Sequence, residues 1–307
     1  MKKPSDAPKR RELLGWSAAT CLMACAAPAV STPARASDAA GSNPLTPPAQ
    51  GSIPVAYLIS EGAVVIDFCG PWEVFRAPSM AGRKEALFVN YTVAETTKPI
   101  RCGGLHVIPD FTYETAPLPK VLVIPAQSAN SQATLDWIRK VAATADVTMS
   151  VCNGAYLLAQ TGLLSGKAAT LHHSAFVDFA MQYPEVQVKR GARFVEAGNL
   201  ACSGGLSSGM DLAFRVIERY YGRDVATRAA FAMEYQGEGW MNPGSNSIYA
   251  RPFVSTKKHP ICVVCGMDVE RSSALKSVLA GEAFYFCSET HKKAFDAAPQ
   301  KFVTAVR

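Results

Sequence analysis

The chain has 307 residues, enough for one large domain or a medium domain beside a small one, and 49% of them are hydrophobic, which excludes global disorder. Its formal charge is +6, but six of the 31 basic residues (Lys2, Lys3, Lys9, Arg10, Arg11, Arg35) and two of the 25 acids (Asp6, Glu12) lie in residues 1–36. The remaining 25 basic and 23 acidic residues leave about +2, which gives no electrostatic footprint for a nucleic-acid partner.

In chain order, residues 1–36 read as a targeting segment. "KRRELLGWSAATCLMACAAPAV" places the pair Arg10-Arg11 before a moderately apolar run, and "ARA" at 34–36 offers a small-x-small cleavage site. The segment resembles a twin-arginine signal, which implies export of an already folded, periplasmic protein. "LMAC" at 22–25 is a second possible ending, with Cys25 as a lipid-bearing N-terminus. The run is too short and too weakly apolar for a membrane span. Residues 37–52, rich in Pro, Ser, Gly and Ala, read as a linker.

Over 53–243 strands alternate with helices. "IPVAYLI" is a buried strand. "DFCGPWEVFRAPSMAG" is a turn and helix with Pro71 near the helix start, and "FVNYTVAE" is a strand. "PIRCGGLHVIPDFTY" is a hairpin around Gly103-Gly104. The continuous apolar run "KVLVIPA" suits a central parallel strand. An amphipathic helix follows in "SQATLDWIRKVAATA", then the strand "VTMSV" and the helical "GAYLLAQTGLL". "AATLHH" and "NLACSGG" are short strands or strand ends, and two helices broken at Gly222 close the region. The alternation predicts a doubly wound, mostly parallel α/β sheet. Residues 244–258 read as a second linker, and 259–307 as a small cysteine-rich domain.

The sharpest chemical feature is "SVCNGAYLLA". A cysteine at a strand-to-helix turn is exposed by the turn, has its thiol pKa lowered by the helix N-terminus, and can use the backbone N–H of Asn153 for an oxyanion. A small buried apolar cysteine is the plainer alternative for Cys152. Asp67 is a candidate carboxyl for tuning that thiol, or else a helix N-cap. His172 is a candidate base for Cys–His chemistry, or else a core histidine. His173 is a weaker one, since tandem histidines on a strand face opposite ways.

Four stretches in order, "AYLISEGAVVIDFCGPWEVF", "PIRCGGLHVIPDFTYETAPLPKVLVIPA", "VCNGAYLLAQTGLLSGKAATLHH" and "ACSGGLSSGMDLAFRVIERYYG", resemble the ThiJ/PfpI family over about residues 53–240. The resemblance implies a flavodoxin-like fold, a homodimer, and Cys152, Asp67 and His172 at the family's site positions. One departure stands out. Where family members commonly carry Pro-Gly-Gly after the third strand, this chain has "IPAQSAN", so Ala126 and Gln127 occupy the backbone positions that would complete an oxyanion pocket.

Near the C-terminus, Cys262-x-x-Cys265 and Cys287-x-x-x-His291 form two close pairs of soft or borderline ligands. A CxxC turn aims two sulfurs at one point and a four-residue helical step puts the other pair on one face, as a tetrahedral zinc or a copper site needs. His259 is a spare ligand candidate. "CGMDV", "AFYFCS" and "AFDAAPQKF" resemble the YHS domain, whose members often have cysteine at the position of His291, so softness toward copper is reduced here. The seven cysteines after residue 36 are an odd number, which argues against a complete disulfide framework, although a Cys102–Cys202 bridge is conceivable in the periplasm.

These features lead to a cysteine-dependent hydratase or hydrolase of a small substrate, with no organic cofactor motif in the chain. By resemblance the substrate is an isonitrile, another C–N bond or a 2-oxoaldehyde. The competing expectation is a non-enzymatic redox or metal handler. A transcription regulator is disfavoured, because no helix-turn-helix pattern follows the α/β region.

Overall fold

The central strands have no exposed face. Val121–Ile124 and Val147–Val151 are buried at every residue, and the strand Ile53–Leu58 at all but one. Strands buried on both faces need cover on both sides, and the intervening sequence supplies helices. The computed structural model describes residues 43–128, 131–250, 260–266, 269 and 275–303. The twin-arginine segment, Cys25 and His259 lie outside the described residues.

The elements of the large domain run β1 (Ile53–Leu58), α1 (Val65–Arg76), β2 (Phe88–Ala94), β3 (Ile100–Cys102), β4 (Leu105–Val107), β5 (Phe111–Thr112), β6 (Val121–Ile124) and α2 (Gln132–Ala142). They continue with β7 (Val147–Val151), α3 (Gly154–Gln160), β8 (Ala168–Ala169), α4 (Phe176–Gln182), β9 (Gln187–Val188), β10 (Phe194–Ala197), β11 (Leu200–Ser203), α5 (Ser208–Tyr221) and α6 (Arg223–Ala232). The main sheet has the order β10-β11-β7-β6-β1-β2-β5, parallel except for β10 at its edge. The carboxyl ends of β1, β6 and β7 therefore lie side by side, where open α/β sheets form their crevice.

One apolar cluster covers the α1/α5/α6 face and a second covers the α2/α3/α4 face. Cys102 belongs to the first and Cys202 to the second, and both are free thiols, so the conceivable disulfide between them is not formed. At the sheet edge, Arg215 and Arg219 of α5 both reach Glu196 of β10 at 3.0 Å, fixing the antiparallel strand against the helix.

Two local expectations change, for Pro71 and for Asp67. Pro71 lies inside α1, not near its start, because the helix already begins at Val65. Asp67 is then in the first turn, and the N-cap position belongs to Val64, which gives no side-chain cap. Residues 43–52 form no helix or strand but are tied down: Leu45 N–H donates to the Arg219 carbonyl, and Arg219 donates back to the Asn43 carbonyl at 2.8 Å. Similarly, residues 247–250 of the second expected linker form a short 3₁₀ turn.

The small domain has the antiparallel pair β12 (Leu275–Leu279) and β13 (Glu282–Phe286), then α7 (Glu289–Ala297) and α8 (Gln300–Val303). Ser288 caps α7, its hydroxyl accepting from the His291 N–H at 3.2 Å. Among the described residues no helix is long and apolar enough to cross a membrane.

Among the described glycines, the least room for a side chain lies behind the β7–α3 turn. A Cβ on Gly154 would stand 2.1 Å from the Ile124 carbonyl oxygen and 2.8 Å from that of Pro125. Both contacts are backbone, so neither can rotate away. Gly154→Ala is expected to cost about 3 kcal/mol by overpacking and to lower the melting temperature by roughly 6–12 °C. An unchanged melting temperature would show that α3 does not pack against β6 as described.

Candidate active site and candidate metal centre

Cys152 follows β7 directly and has φ +57°, a left-handed conformation that an L-residue adopts only when its surroundings enforce it. Its N–H donates to the Gly204 carbonyl at 3.1 Å, so the next strand end holds the turn. The residue is buried, at 6% exposure. The groups acting on it are Asp67 and the backbone N–H groups of Asn153 and Leu206. Leu206 is itself at φ +50°. One N–H at the sulfur thus comes from a left-handed residue, Leu206, and the other from Asn153, which directly follows the left-handed Cys152. Nothing in the sequence marks Leu206, an ordinary apolar residue after two glycines.

Asp67 is fully buried. Its Oδ2 accepts the Ala126 N–H at 3.1 Å, while Oδ1 has no hydrogen-bond partner, and the Cys152 thiol lies close enough to act on the carboxyl. Burial pushes this carboxyl up to about 6, against the pull of the Ala126 N–H and of the thiol. Burial, followed by the Asp67 charge, pushes the Cys152 thiol up to about 12, against the two backbone N–H groups. The expectation of a thiol lowered by the helix N-terminus is corrected here. Helix α3 has only seven residues, and the desolvated sulfur sits beside a carboxylate. At neutral pH the pair is a carboxylate with a thiol, holding one proton between two acids. Such a pair can release a nucleophile and hold its proton at the same moment.

One further expectation, for Ala126, changes with this geometry. The Ala126 N–H is engaged by Asp67 and not free for an oxyanion. The Gln127 side chain turns back to β1, where Nε2 donates to the Leu58 carbonyl at 3.0 Å. The N–H groups that do face the sulfur are those of Asn153 and Leu206.

His172 is not among the groups acting on the thiol. It stands over Gly205, where a Cβ would meet its ring at 2.2 Å. Its Nδ1 accepts from the Ser174 N–H at 3.3 Å and lies 2.8 Å from the Ser174 hydroxyl. Both histidines line one cavity of about 160 Å³, with Arg193, Leu206, Asn246 and Tyr249. They share it because β8 ends at Ala169, so the pair lies beyond the strand and alternation no longer applies. The His173 ring stacks on Tyr249 at 5.0 Å. Burial lowers the pKa of both histidines. Leu206 joins the two regions, lining the cavity while its N–H faces the sulfur. Asn246 and Tyr249 come from a stretch expected to be linker and carried no signal in the sequence.

In the small domain Cys262, Cys265, Cys287 and His291 bring one ligand atom each to within 4.8 Å of one another. Cys265 Sγ and Cys287 Sγ are 3.5 Å apart, and His291 Nδ1 lies 3.5 Å from Cys262 Sγ and 3.1 Å from Cys287 Sγ. A tetrahedral thiolate–imidazole zinc site has edges of about 3.8 Å between sulfurs and about 3.5 Å between sulfur and nitrogen. The donor set and its spacing fit such an ion. The Cys262 thiol is pushed down to about 3, first by its hydrogen bond with Cys265 and then by His291, so it is readily a thiolate ligand.

Residues 54–219 match the DJ-1/PfpI family, and residues 263–306 match the YHS domain. The chain is 30% identical over 189 residues to an isonitrile hydratase of Pseudomonas putida, covering 60% of this chain and 79% of that protein. It is 28% identical over 102 residues to the HTH-type transcriptional regulator CdhR of Pseudomonas aeruginosa, covering 33% of this chain but only 30% of the regulator. A ThiJ/PfpI family structure from Pseudomonas syringae superimposes with a TM-score of 0.54 at 25% identity, over 68% of this chain and 84% of that one. Drosophila melanogaster DJ-1beta superimposes with a TM-score of 0.51 at 18% identity, over 61% of this chain and 100% of that one, which shows the shared fold.

The buried carboxyl has a sign that can be measured. Its folded value of about 6 lies above the ordinary 3.8, so ionisation opposes folding. The penalty is absent below pH 4, grows between about pH 4 and 6, and is complete above, at about 3 kcal/mol. Asp67→Asn is expected to raise the melting temperature at pH 8, with the gain fading at pH 4. An Asn variant no more stable than the wild type at pH 8 would contradict the raised carboxyl.

Proposed function

This chain belongs to the DJ-1/PfpI family, and from that premise we propose that it is a cysteine-dependent hydratase acting on an isonitrile or a related small C–N electrophile. The observation that carries the reading is the buried Asp67 carboxyl set beside the left-handed Cys152, whose sulfur the backbone N–H groups of Asn153 and Leu206 face. The similarity to the isonitrile hydratase supports the substrate class.

An isonitrile carbon accepts a nucleophile and a proton at the same atom. The Cys152 sulfur attacks that carbon while the Asp67 carboxylate takes the thiol proton and delivers it there, giving a thioimidate. Water then adds to the thioimidate carbon, the nitrogen takes a proton, and the C–S bond breaks to release an N-substituted formamide and the free thiol. The N–H groups of Asn153 and Leu206 stabilise charge on the sulfur as it is exposed and as it departs. A raised thiol suits this chemistry, since Asp67 need only remove the proton at the moment of attack. We place Arg10-Arg11 in an export signal for the folded chain, and take the C-terminal ion to be zinc or copper with a structural role.

A second reading, metal handling without catalysis, rests on the four-ligand cluster. Reversible oxidation of Cys152 supports it poorly, because a buried thiol pushed up to about 12 has little thiolate to oxidise.

Isonitrile consumption by the reduced, metal-loaded protein tests the proposal. The wild type turns over, Cys152→Ala falls to background, and Asp67→Asn slows turnover by about 10²–10⁴-fold. Wild-type turnover rises through about pH 6 as the carboxylate forms. Absence of turnover by the wild type would sink the isonitrile proposal and put metal handling first.

A further inference from the structure

We infer that the large domain completes the metal centre of the small one: Asp178 of α4 is the carboxylate that orients the ligand His291, so metal loading and docking of the small domain on α4 are one equilibrium. His291 turns Nδ1 toward the sulfurs of Cys262 and Cys287, which makes Nδ1 the ligand atom. Its other nitrogen, Nε2, then carries the proton and needs an acceptor, because the ring is only 2% exposed. The acceptor is Asp178 Oδ1, 113 positions earlier in the chain. A carboxylate on the far nitrogen fixes the tautomer, orients the ring and raises its basicity as a ligand.

A second observation comes from the neighbouring residue. Val177 is buried in the same apolar cluster as Cys262, Val264, Phe286 and Phe295 of the small domain. Two successive residues of α4 thus enter the small domain, one into its core and one onto its ligand. The preceding residue, Phe176, lines the His172–His173 cavity. The linkage is reciprocal: whatever favours docking on α4 tightens the metal, and the metal tightens docking.

The test uses the full chain with Zn²⁺ as the probe and needs no enzymatic turnover. Asp178 is half-exposed, and Asp178→Asn keeps its shape, so folding is expected to survive, as a thermal melt in chelator verifies. In competition against a chromophoric chelator, the variant is expected to bind Zn²⁺ 10–100-fold more weakly than the wild type. Amide exchange across 176–182 is expected to slow when wild-type protein is loaded with Zn²⁺. A loss of affinity below tenfold, or exchange at α4 indifferent to Zn²⁺, overturns the inference.

Discussion

Residue 152 holds its left-handed backbone because nothing stands between the first turn of α3 and the end of β6. Gly154 lets that helix start directly against the carbonyls of Ile124 and Pro125, and the Gly204 carbonyl takes the Cys152 N–H from the other side. With the turn closed from both sides, the sulfur has one place to go, beneath Asp67 and the N–H groups of Asn153 and Leu206. Everything chemical in the large domain depends on that closure, since a turn relaxed to ordinary backbone would swing the thiol away from the carboxyl.

The same closure makes the site costly. A carboxyl without water, a thiol beside it and two non-glycine residues at positive φ all oppose folding. They are held by central strands buried on both faces and two apolar clusters covering the sheet. Desolvation is the dominant force in the site. It outweighs the dipole of a seven-residue helix and keeps the proton on sulfur.

The metal centre follows a different logic. Its ligands are close in sequence, and its small core gathers four phenylalanines, Phe284, Phe286, Phe295 and Phe302, with Val264 and Val177. A domain of this size gains much from an ion that staples it. Helix α4 brings the two domains into contact, with Phe176, Val177 and Asp178 facing a cavity, an apolar cluster and a ligand in turn.

What the amino-acid order determined by itself is what depends on near neighbours. Apolar runs such as "KVLVIPA" marked the central strands because a strand buried on both faces leaves no other pattern, and the CxxC and Cys-x-x-x-His spacings marked the ligands because local turns suffice to gather them. "SVCNG" marked the tight β7–α3 turn for the same reason. The tertiary structure decided what depends on distant groups. The Ala126 N–H went to Asp67, 59 positions away, and not to an oxyanion. Both histidines met in one cavity, with Asn246 and Tyr249 arriving from an expected linker. Leu206 joined the thiol and Asp178 joined His291 without any local signature. Spacing along the chain says which atoms can be brought together. The protonation and partners of those atoms follow from the water removed and the charges brought near when remote segments close over them, and that closure exists only in the folded chain.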